Sequence, residues 1–148
     1  LERLHFVMAG LHEACFAPRS VDENTRALVM ALRNPRVDAI SHPGNTFYPV
    51  DIEALVEAAR AEGKALEINN SSFKVRSGSA DTCLEIARAC ARTGTRVVVG
   101  SDAHYWRDVG NFASALKILR EARIPRELVV NASLRSFEKF INRRANAV

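Results

Sequence analysis

Short apolar runs alternate along the chain with longer segments in which apolar residues recur at helical spacing. The runs have the length of β-strands, and the longer segments carry apolar residues three and four positions apart, as one face of a helix requires. The pattern predicts strands at 5–9, 38–41, 65–69 and 96–99, and helices at 21–33, 52–62, 80–93, 112–122 and 134–144. The polar segment 70–78 predicts a loop, and 125–130 fits either a turn or a short strand.

Residues suited to helix capping stand at the predicted helix starts. Ser20 and Glu23 have the spacing of a capping box, which predicts that the first helix begins at Val21. The residues that fit the N-caps of later helices are Asp51, Ser79, Asn111 and Ser133.

The regular β-α alternation with short connections is typical of an α/β fold with parallel strands, right-handed crossovers and helices outside the sheet. Four or five such units are too few to close an eight-stranded barrel. Two architectures stay open at this point: a doubly wound open sheet, and the C-terminal part of a barrel whose first strands are absent.

Composition places the chain among single globular domains. It has 148 residues, of which 47% are apolar and 26% charged. No apolar run approaches the roughly 20 residues of a membrane helix and no signal peptide is visible, so we expect a cytoplasmic protein without membrane contact. The chain opens on Leu1 rather than Met, and we expect it to be part of a longer polypeptide. The three cysteines form no CxxC pair, and reduced, mostly buried thiols are expected.

The net charge of +4 has one basic cluster near the end of the chain, formed by Arg135, Lys139, Arg143 and Arg144. These residues recur at helical spacing and are interpreted as the solvated face of the last helix. No aromatic residues alternate with the charges as a stacking platform for bases would require. Nucleic acid is therefore not the expected partner.

Three histidines and one aspartate directly follow predicted strands. After the first, second and fourth strands the sequence places, in order, His12, His42, and Asp102 with His104. The carboxyl ends of parallel strands lie at one edge of a sheet, so we expect these side chains to converge. One such histidine is more often structural, but three with an adjacent aspartate favour a metal site. Imidazole and carboxylate suit Zn, Mn or Fe.

The third strand and the loop after it add polar groups. A buried Glu67 in an apolar strand needs a partner, and a structural ion pair is favoured over a group that positions a ligand. Asn69, Asn70 and Ser71 offer donors suited to a phosphate, and Arg76 could add positive charge. We predict that these four residues bind substrate, although loops are rich in Asn and Ser for structural reasons as well.

Other residues near this edge have simpler explanations. Cys15 lies close to His12, but the neighbouring Phe16 favours a packed thiol. Tyr105 and Trp106 are expected to pack in the core rather than to line a pocket. The sequence contains no nucleophilic-serine elbow, P-loop or GxGxxG, which argues against acyl transfer, Walker-type nucleotide hydrolysis and dinucleotide redox chemistry.

Four ordered motifs carry a family resemblance. They are Ala9-Gly10-Leu11-His12-Glu13, Ile40-Ser41-His42-Pro43-Gly44-Asn45, Leu66-Glu67-Ile68-Asn69-Asn70-Ser71-Ser72-Phe73 and Gly100-Ser101-Asp102-Ala103-His104. Through them the chain resembles, over essentially its whole length, the C-terminal part of the PHP (polymerase and histidinol phosphatase) family. The likeness is to its YcdX-type branch of small phosphatases.

The resemblance implies the C-terminal portion of a distorted (β/α)7 TIM-like barrel with up to three divalent ions at the C-terminal rim. The equivalents of His12 and His42 serve one metal, that of Asp102 a second and that of His104 a third. Asp102 and His104 are accordingly expected to be catalytic. The implied activity is hydrolysis of phosphate monoesters of small molecules, in which a metal-bound hydroxide attacks in line.

The family's amino-terminal motifs, a His-x-His pair and a bridging glutamate, are not in these 148 residues. We therefore expect this single incomplete domain to bind metal weakly on its own, and the complete chain to be an active phosphatase. Two alternatives are a non-catalytic structural or nucleic-acid-associated module and a metal-dependent nuclease. The retained ligand-type residues disfavour the first, and the lack of an extended basic groove disfavours the second. A small phosphorylated molecule is the expected partner, and a homo-oligomer stays open.

Overall fold

The structure is a computed structural model that describes residues 4–75 and 78–144. Its strands are β1 (Met8–Ala9), β2 (Ala39–Ile40), β3 (Ala65–Asn69) and β4 (Arg96–Gly100). Its helices are α1 (Val21–Arg33), α2 (Ile52–Ala61), α3 (Ser72–Val75), α4 (Ser79–Thr93), α5 (Ala113–Glu121) and α6 (Leu134–Ile141). Single 3-10 turns lie at Trp106–Asp108, Arg126–Leu128 and Asn142–Arg144.

The four strands within these ranges form one parallel sheet in the order β1-β2-β3-β4. Ala39 is paired with Met8 on one side and with Ala65 on the other, and Ala65 in turn is paired with Arg96. The predicted parallel α/β fold is confirmed. A doubly wound sheet reverses its strand order part-way, whereas these strands follow chain order, as consecutive units of a (β/α) barrel do.

The two faces of the sheet have different surroundings. One face packs against α1, α2, α4 and α5 in the main core, whose buried members include Leu32, Ile40, Leu55, Leu66, Ile68, Ile86 and Val97. The other face forms a smaller cluster made of Ala39, Ala65, Val98, Val130 and Phe140. Because side chains alternate along a strand, Glu67 and Asn69 share the face of Ala65 and lie nearer the carboxyl end of β3.

Helix α1 begins and ends where the sequence predicts. The Ser20 hydroxyl accepts a hydrogen bond from the Glu23 amide at 3.3 Å, and the Glu23 carboxylate accepts one from the Ser20 amide at 3.4 Å. The hydrogen bond from the Ser20 hydroxyl and that from Arg19 lower the pKa of Glu23. The predicted capping box is confirmed.

The first two strands are shorter than predicted. The ladder between them covers Met8–Ala9 and Ala39–Ile40, rather than 5–9 and 38–41. The Val7 amide donates instead to the Asp38 carboxylate at 2.9 Å. The Asp38 side chain, rather than a backbone carbonyl of the neighbouring strand, thus accepts the hydrogen bond from Val7.

The prediction of a continuous loop at 70–78 is wrong, because α3 forms within it. The Asn69 side-chain oxygen accepts hydrogen bonds from the Ser72 amide and hydroxyl, at 2.9 and 3.2 Å, and so caps this single turn. Ser79 does not cap α4 either. Gly78, with φ of 77°, occupies the N-cap position, and Ser79 is the first helical residue.

The segment 125–130 contains both of the predicted alternatives. A 3-10 turn at Arg126–Leu128 is followed by a single parallel bridge between Val129 and Val97. Beyond it the Asn131 side chain bonds both backbone groups of Val99, at 3.0 and 2.8 Å. The outer edge of β4 is covered in this way.

Among the helices of 4–75 and 78–144, none combines the length and apolar character that crossing a bilayer requires.

A buried ion pair ties the end of the chain to the sheet. Asp38 is fully buried, and its carboxylate contacts Arg143, whose side chain is 22% exposed, at 2.9 Å. The same carboxylate accepts from Val7. Arg143 lies against the Phe140 ring, 3.8 Å from its centroid. The pair therefore joins β2, the segment before β1 and the chain after α6.

Replacing Asp38 with Ala should lower the free energy of unfolding by about 3 kcal/mol, because breaking a buried pair from one side leaves a charge without its compensation. Chemical denaturation measures the change. The matched control is Glu53→Ala, which removes a pair with Arg92 whose side chains are 65% and 59% exposed. That control should lose less than about 1 kcal/mol. Equal losses in the two variants would contradict a structural role for Asp38.

Candidate functional site

The predicted ligand residues lie in loops at one edge of the sheet. Parallel pairing brings the carboxyl ends of all four described strands to this edge. The loops after β1, β2 and β4 carry His12, His42, and the pair Asp102 and His104. We call this edge the rim.

His12 and His42 come together across 30 residues of sequence. Their Nε2 atoms are 3.1 Å apart, and the rings meet edge to face with centroids 4.6 Å apart. Two nitrogen ligands of one Zn²⁺ stand about 2.9–3.4 Å apart at ordinary coordination angles and bond lengths. The separation and the chemistry of the two donors therefore fit a shared divalent ion. His12 is exposed, so the pair is open to solvent on one side.

The backbone of His42 is held in an unusual conformation. His42 has φ of 33°, and its amide donates to Glu67 Oε2 at 2.7 Å. Three non-glycine residues in the described ranges have positive φ, namely His42, Asp102 and Arg123. Such conformations cost free energy and concentrate at functional sites. Two of the three are residues predicted as metal ligands from their place after strands.

Two glycines let side chains approach the rim closely. A Cβ at Gly10 would overlap the Ser41 hydroxyl and touch the rings of His12 and His42. A Cβ at Gly100 would overlap Glu67 Oε1. The sequence pattern alone predicts no functional role for either glycine. Their place at the ends of β1 and β4 was the available signal, because glycine at a strand end marks a close approach of other groups.

The loops after β1 and β2 are also joined by Tyr48. Its hydroxyl donates to the Phe16 carbonyl at 2.8 Å. Burial raises the pKa of Tyr48, and the nearby Glu13 and Cys15 add to the effect. The phenol therefore keeps its proton at neutral pH and remains a donor, which keeps the loop of His12 beside that of His42.

Asp102 and His104 form a second pair at the end of β4. Asp102 Oδ1 lies 4.0 Å from His104 Nδ1, with 29% and 87% of the two side chains exposed. The Ser71 hydroxyl contacts the carbonyls of Ser101 and Asp102 at 2.9 and 3.2 Å. Loop 101–104 is thus anchored to the loop after β3.

The two pairs remain separate in the part of the chain that the structure describes. There, no three His, Cys, Asp or Glu side chains come together as one metal site. β3 lies between β2 and β4, so the backbones of His42 and Asp102 are about 10 Å apart at strand spacing. The structure brings together His12 with His42, and Asp102 with His104.

Of the predicted substrate-binding residues, two have their side chains buried and bonded within the protein. Asn69 caps α3 and donates to Glu67 Oε2 at 3.3 Å. Asn70 accepts from the amides of Ser114 and Ala115, at 2.9 and 3.1 Å, at the start of α5. The sequence predicts Asn111 as the cap of this helix, but the N-cap position is Phe112, and the buried side chain of Asn70 accepts the hydrogen bonds from the first turn.

The remaining substrate predictions have different outcomes. Ser71 bonds the loop after β4, as described above, and is partly exposed. Arg76 lies outside the described residues. For all four residues, contact with a substrate stays a prediction.

Three expectations of burial near the rim are wrong. Cys15 is exposed, with its thiol 3.4 Å from the His12 carbonyl, whereas Cys83 and Cys90 are buried as expected. Burial raises the pKa of the Cys90 thiol to about 12. Tyr105 is 53% exposed and Trp106 70% exposed. Their 3-10 turn directs these rings away from both hydrophobic clusters of the described chain.

Comparison with known proteins finds several relatives that match all or nearly all of this chain. A probable phosphatase of Acetivibrio thermocellus is 45% identical over 148 residues, which are 100% of this chain and 61% of the relative. A probable phosphatase of Caldanaerobacter subterraneus subsp. tengcongensis is 45% identical, matching 100% of this chain and 59% of its own length. One of Syntrophotalea carbinolica is 46% identical over 95% of this chain and 60% of its own length. No protein-family model matches the chain.

The chain thus spans about three fifths of the length of the curated relatives it matches.

Substituting Gly100 with Ala should displace the Glu67 carboxylate and lower the free energy of unfolding by about 1–3 kcal/mol through overpacking. The loss should be much smaller when Glu67 is already Ala, because the group that the new methyl meets is then absent. A double-mutant cycle by chemical denaturation measures this coupling. Additive effects of the two substitutions would contradict the close approach of Glu67 to Gly100.

Proposed function

We propose that this chain belongs to a metal-dependent phosphatase that hydrolyses phosphate monoesters of small molecules. Two relatives that match the full length of the chain at about 45% identity are named probable phosphatases, which supports phosphatase activity. The donor chemistry at the rim supports the dependence on metal. Imidazole and carboxylate groups are suited to Zn, Mn or Fe.

The observation that carries the proposal is the approach of His12 Nε2 to within 3.1 Å of His42 Nε2. A hydrogen bond between the two rings alone would not explain why His42 keeps φ of 33°. The strained backbone aims a nearly buried ring at an exposed one, and the Glu67 carboxylate fixes its amide. Such strain is retained where function depends on the geometry.

We further propose that the sheet is part of a distorted (β/α)7 barrel of the PHP family. The sequential order of the described strands supports this, as do the packing of α1, α2, α4 and α5 on one face of the sheet and the position of polar Glu67 and Asn69 on the other. The relatives extend over lengths that this chain does not match. The full activity is proposed for the complete protein.

A mechanism follows from the placement of the groups. His12 and His42 would hold one divalent ion, and Asp102 and His104 would hold others across β3. Bound ions would polarise a phosphoryl oxygen and lower the pKa of a water molecule. Glu67 orients His42 through its backbone, and Ser71 orients Asp102 through its carbonyl. These positioning residues keep the ligands in place without reorganisation during reaction.

In the complete protein, His42→Ala should weaken binding of Mn²⁺ or Zn²⁺ by at least about tenfold and abolish phosphate release from a generic phosphomonoester, because one of the two imidazole ligands is lost. Calorimetric titration of the metal and colorimetric phosphate assay measure the two effects. Asp102→Ala should reduce phosphate release in the same way.

The control is His5→Ala, which removes an exposed histidine in the segment before β1. Its metal affinity and phosphate release should match those of the unmodified chain. Undiminished metal binding by His42→Ala, with the fold intact by circular dichroism, would refute the proposed site.

A further inference from the structure

An exposed aromatic pair stands beside the proposed ligands at the end of β4. Tyr105 and Trp106 follow His104 directly, so the Cα atoms of His104 and Trp106 are at most about 7 Å apart. Their rings lie with centroids 5.7 Å apart and planes inclined at 52°. Scattered exposed apolar residues are ordinary, but here two adjacent rings stand next to a candidate catalytic group.

The loop that carries these rings is fixed by hydrogen bonds. The Asp108 amide donates to the Tyr105 carbonyl at 3.0 Å, and the Asn111 amide donates to the Asp108 carbonyl at 3.0 Å. At the other end, Ser71 holds the carbonyl of Asp102. The rings are thus presented by an ordered turn.

A cation accompanies the larger ring. The Arg107 guanidinium lies 5.0 Å from the centroid of the Trp106 ring. Arginine combines stacking on aromatic faces with a fork of donors that matches a phosphate group. One short segment therefore offers a flat apolar surface and a phosphate-binding cation.

We propose that Trp106 and Arg107 form a subsite for phosphomonoesters whose leaving group carries a flat ring, such as an aryl or nucleobase group. The inference rests on the proposed function, because it places the ring of the substrate beside the metal ligands at the rim. Trp106 stacks on the ring of the leaving group. Arg107 contacts a phosphoryl oxygen, and so the two residues determine specificity without taking part in bond breaking.

The sequence supplies a direct probe of this subsite, because Trp106 is its one tryptophan. Fluorescence of the full chain loaded with Mn²⁺, excited at the tryptophan band, therefore reports on this ring alone. The probes are phenyl phosphate, a nucleoside monophosphate, phenol and glycerol 2-phosphate. Free N-acetyltryptophanamide gives the collisional quenching that each probe causes without a binding site.

Phenyl phosphate and the nucleoside monophosphate should quench Trp106 saturably. Phenol should bind about tenfold more weakly than phenyl phosphate because it lacks the phosphate group. Glycerol 2-phosphate should also bind about tenfold more weakly, because it lacks the ring. A tenfold change corresponds to a stacking contribution of about 1.4 kcal/mol. Tighter binding of the nucleoside monophosphate than of phenyl phosphate would identify a nucleobase as the ring. The reverse order would identify an aryl group, and either order supports the subsite.

Matched variants distinguish the contribution of the Trp106 ring, that of the Arg107 charge and nonspecific binding to exposed apolar side chains. In the complete protein, Trp106→Leu should raise the KM for phenyl phosphate about tenfold with kcat nearly unchanged, and Trp106→Phe should restore the KM. Arg107→Gln should weaken the binding of phenyl phosphate but not that of phenol, because only the former has a phosphate group for Arg107 to contact. Leu134→Ala, which removes a side chain 73% exposed at the start of α6, should leave the quenching unchanged.

Two results would overturn the inference. One is linear quenching equal to that of free N-acetyltryptophanamide, and the other is the same KM for phenyl phosphate in the unmodified protein and in Trp106→Leu. Release of phosphate from glycerol 2-phosphate by the complete protein tests the proposed function separately. If release occurs without saturable quenching, the phosphatase stands and the subsite is wrong. Saturable quenching of this chain, with no release of phosphate from any ester by the complete protein, would retain the subsite as a binding site and refute the phosphatase.

Discussion

The carboxylate of Glu67 is the group on which the geometry of the rim depends. It projects from β3, and its two oxygens contact groups on both neighbouring strands. Oε2 accepts from the amide of His42 after β2, and Oε1 fills the space left by the missing side chain of Gly100 at the end of β4. With Glu67 only 6% exposed, these contacts lie in a medium where a misplaced charge is costly. The position of His42 is therefore fixed by the sheet itself.

The rim combines local strain with restraint from distant residues. His42 and Asp102 both adopt positive φ, which their side chains disfavour. Hydrogen bonds from other loops hold them: Glu67 bonds the amide of the first, and Ser71 the carbonyl of the second. Asn69 at the end of β3 and Asn70 directly after it accept hydrogen bonds from the first turns of α3 and α5. Strand β3 and the loop after it thus support both halves of the site, through Glu67 and Ser71.

How much the sequence could predict depended on the range of the interactions involved. Helix α1 and strand β3 follow from local patterns, and parallel topology alone was enough to place His12 and His42 at one edge. The distant partners of Asn70 were not predictable, because a side chain that caps a helix 44 residues later has no local signal. Hydrophobicity predicted a buried Trp106, but this residue is 70% exposed in the 3-10 turn that follows β4.

The separation of the two ligand pairs has a physical interpretation within the proposed function. Catalytic ions in paired sites are about 3.5–4 Å apart, and each stands about 2 Å from its own ligands. Ligand atoms on opposite sides of such a pair are therefore about 8 Å apart, close to the spacing of two strands with one between them. Ligands on β2 and β4 are thus suited to neighbouring ions rather than to one. The end of β3 would therefore lie between the two sets of ligands.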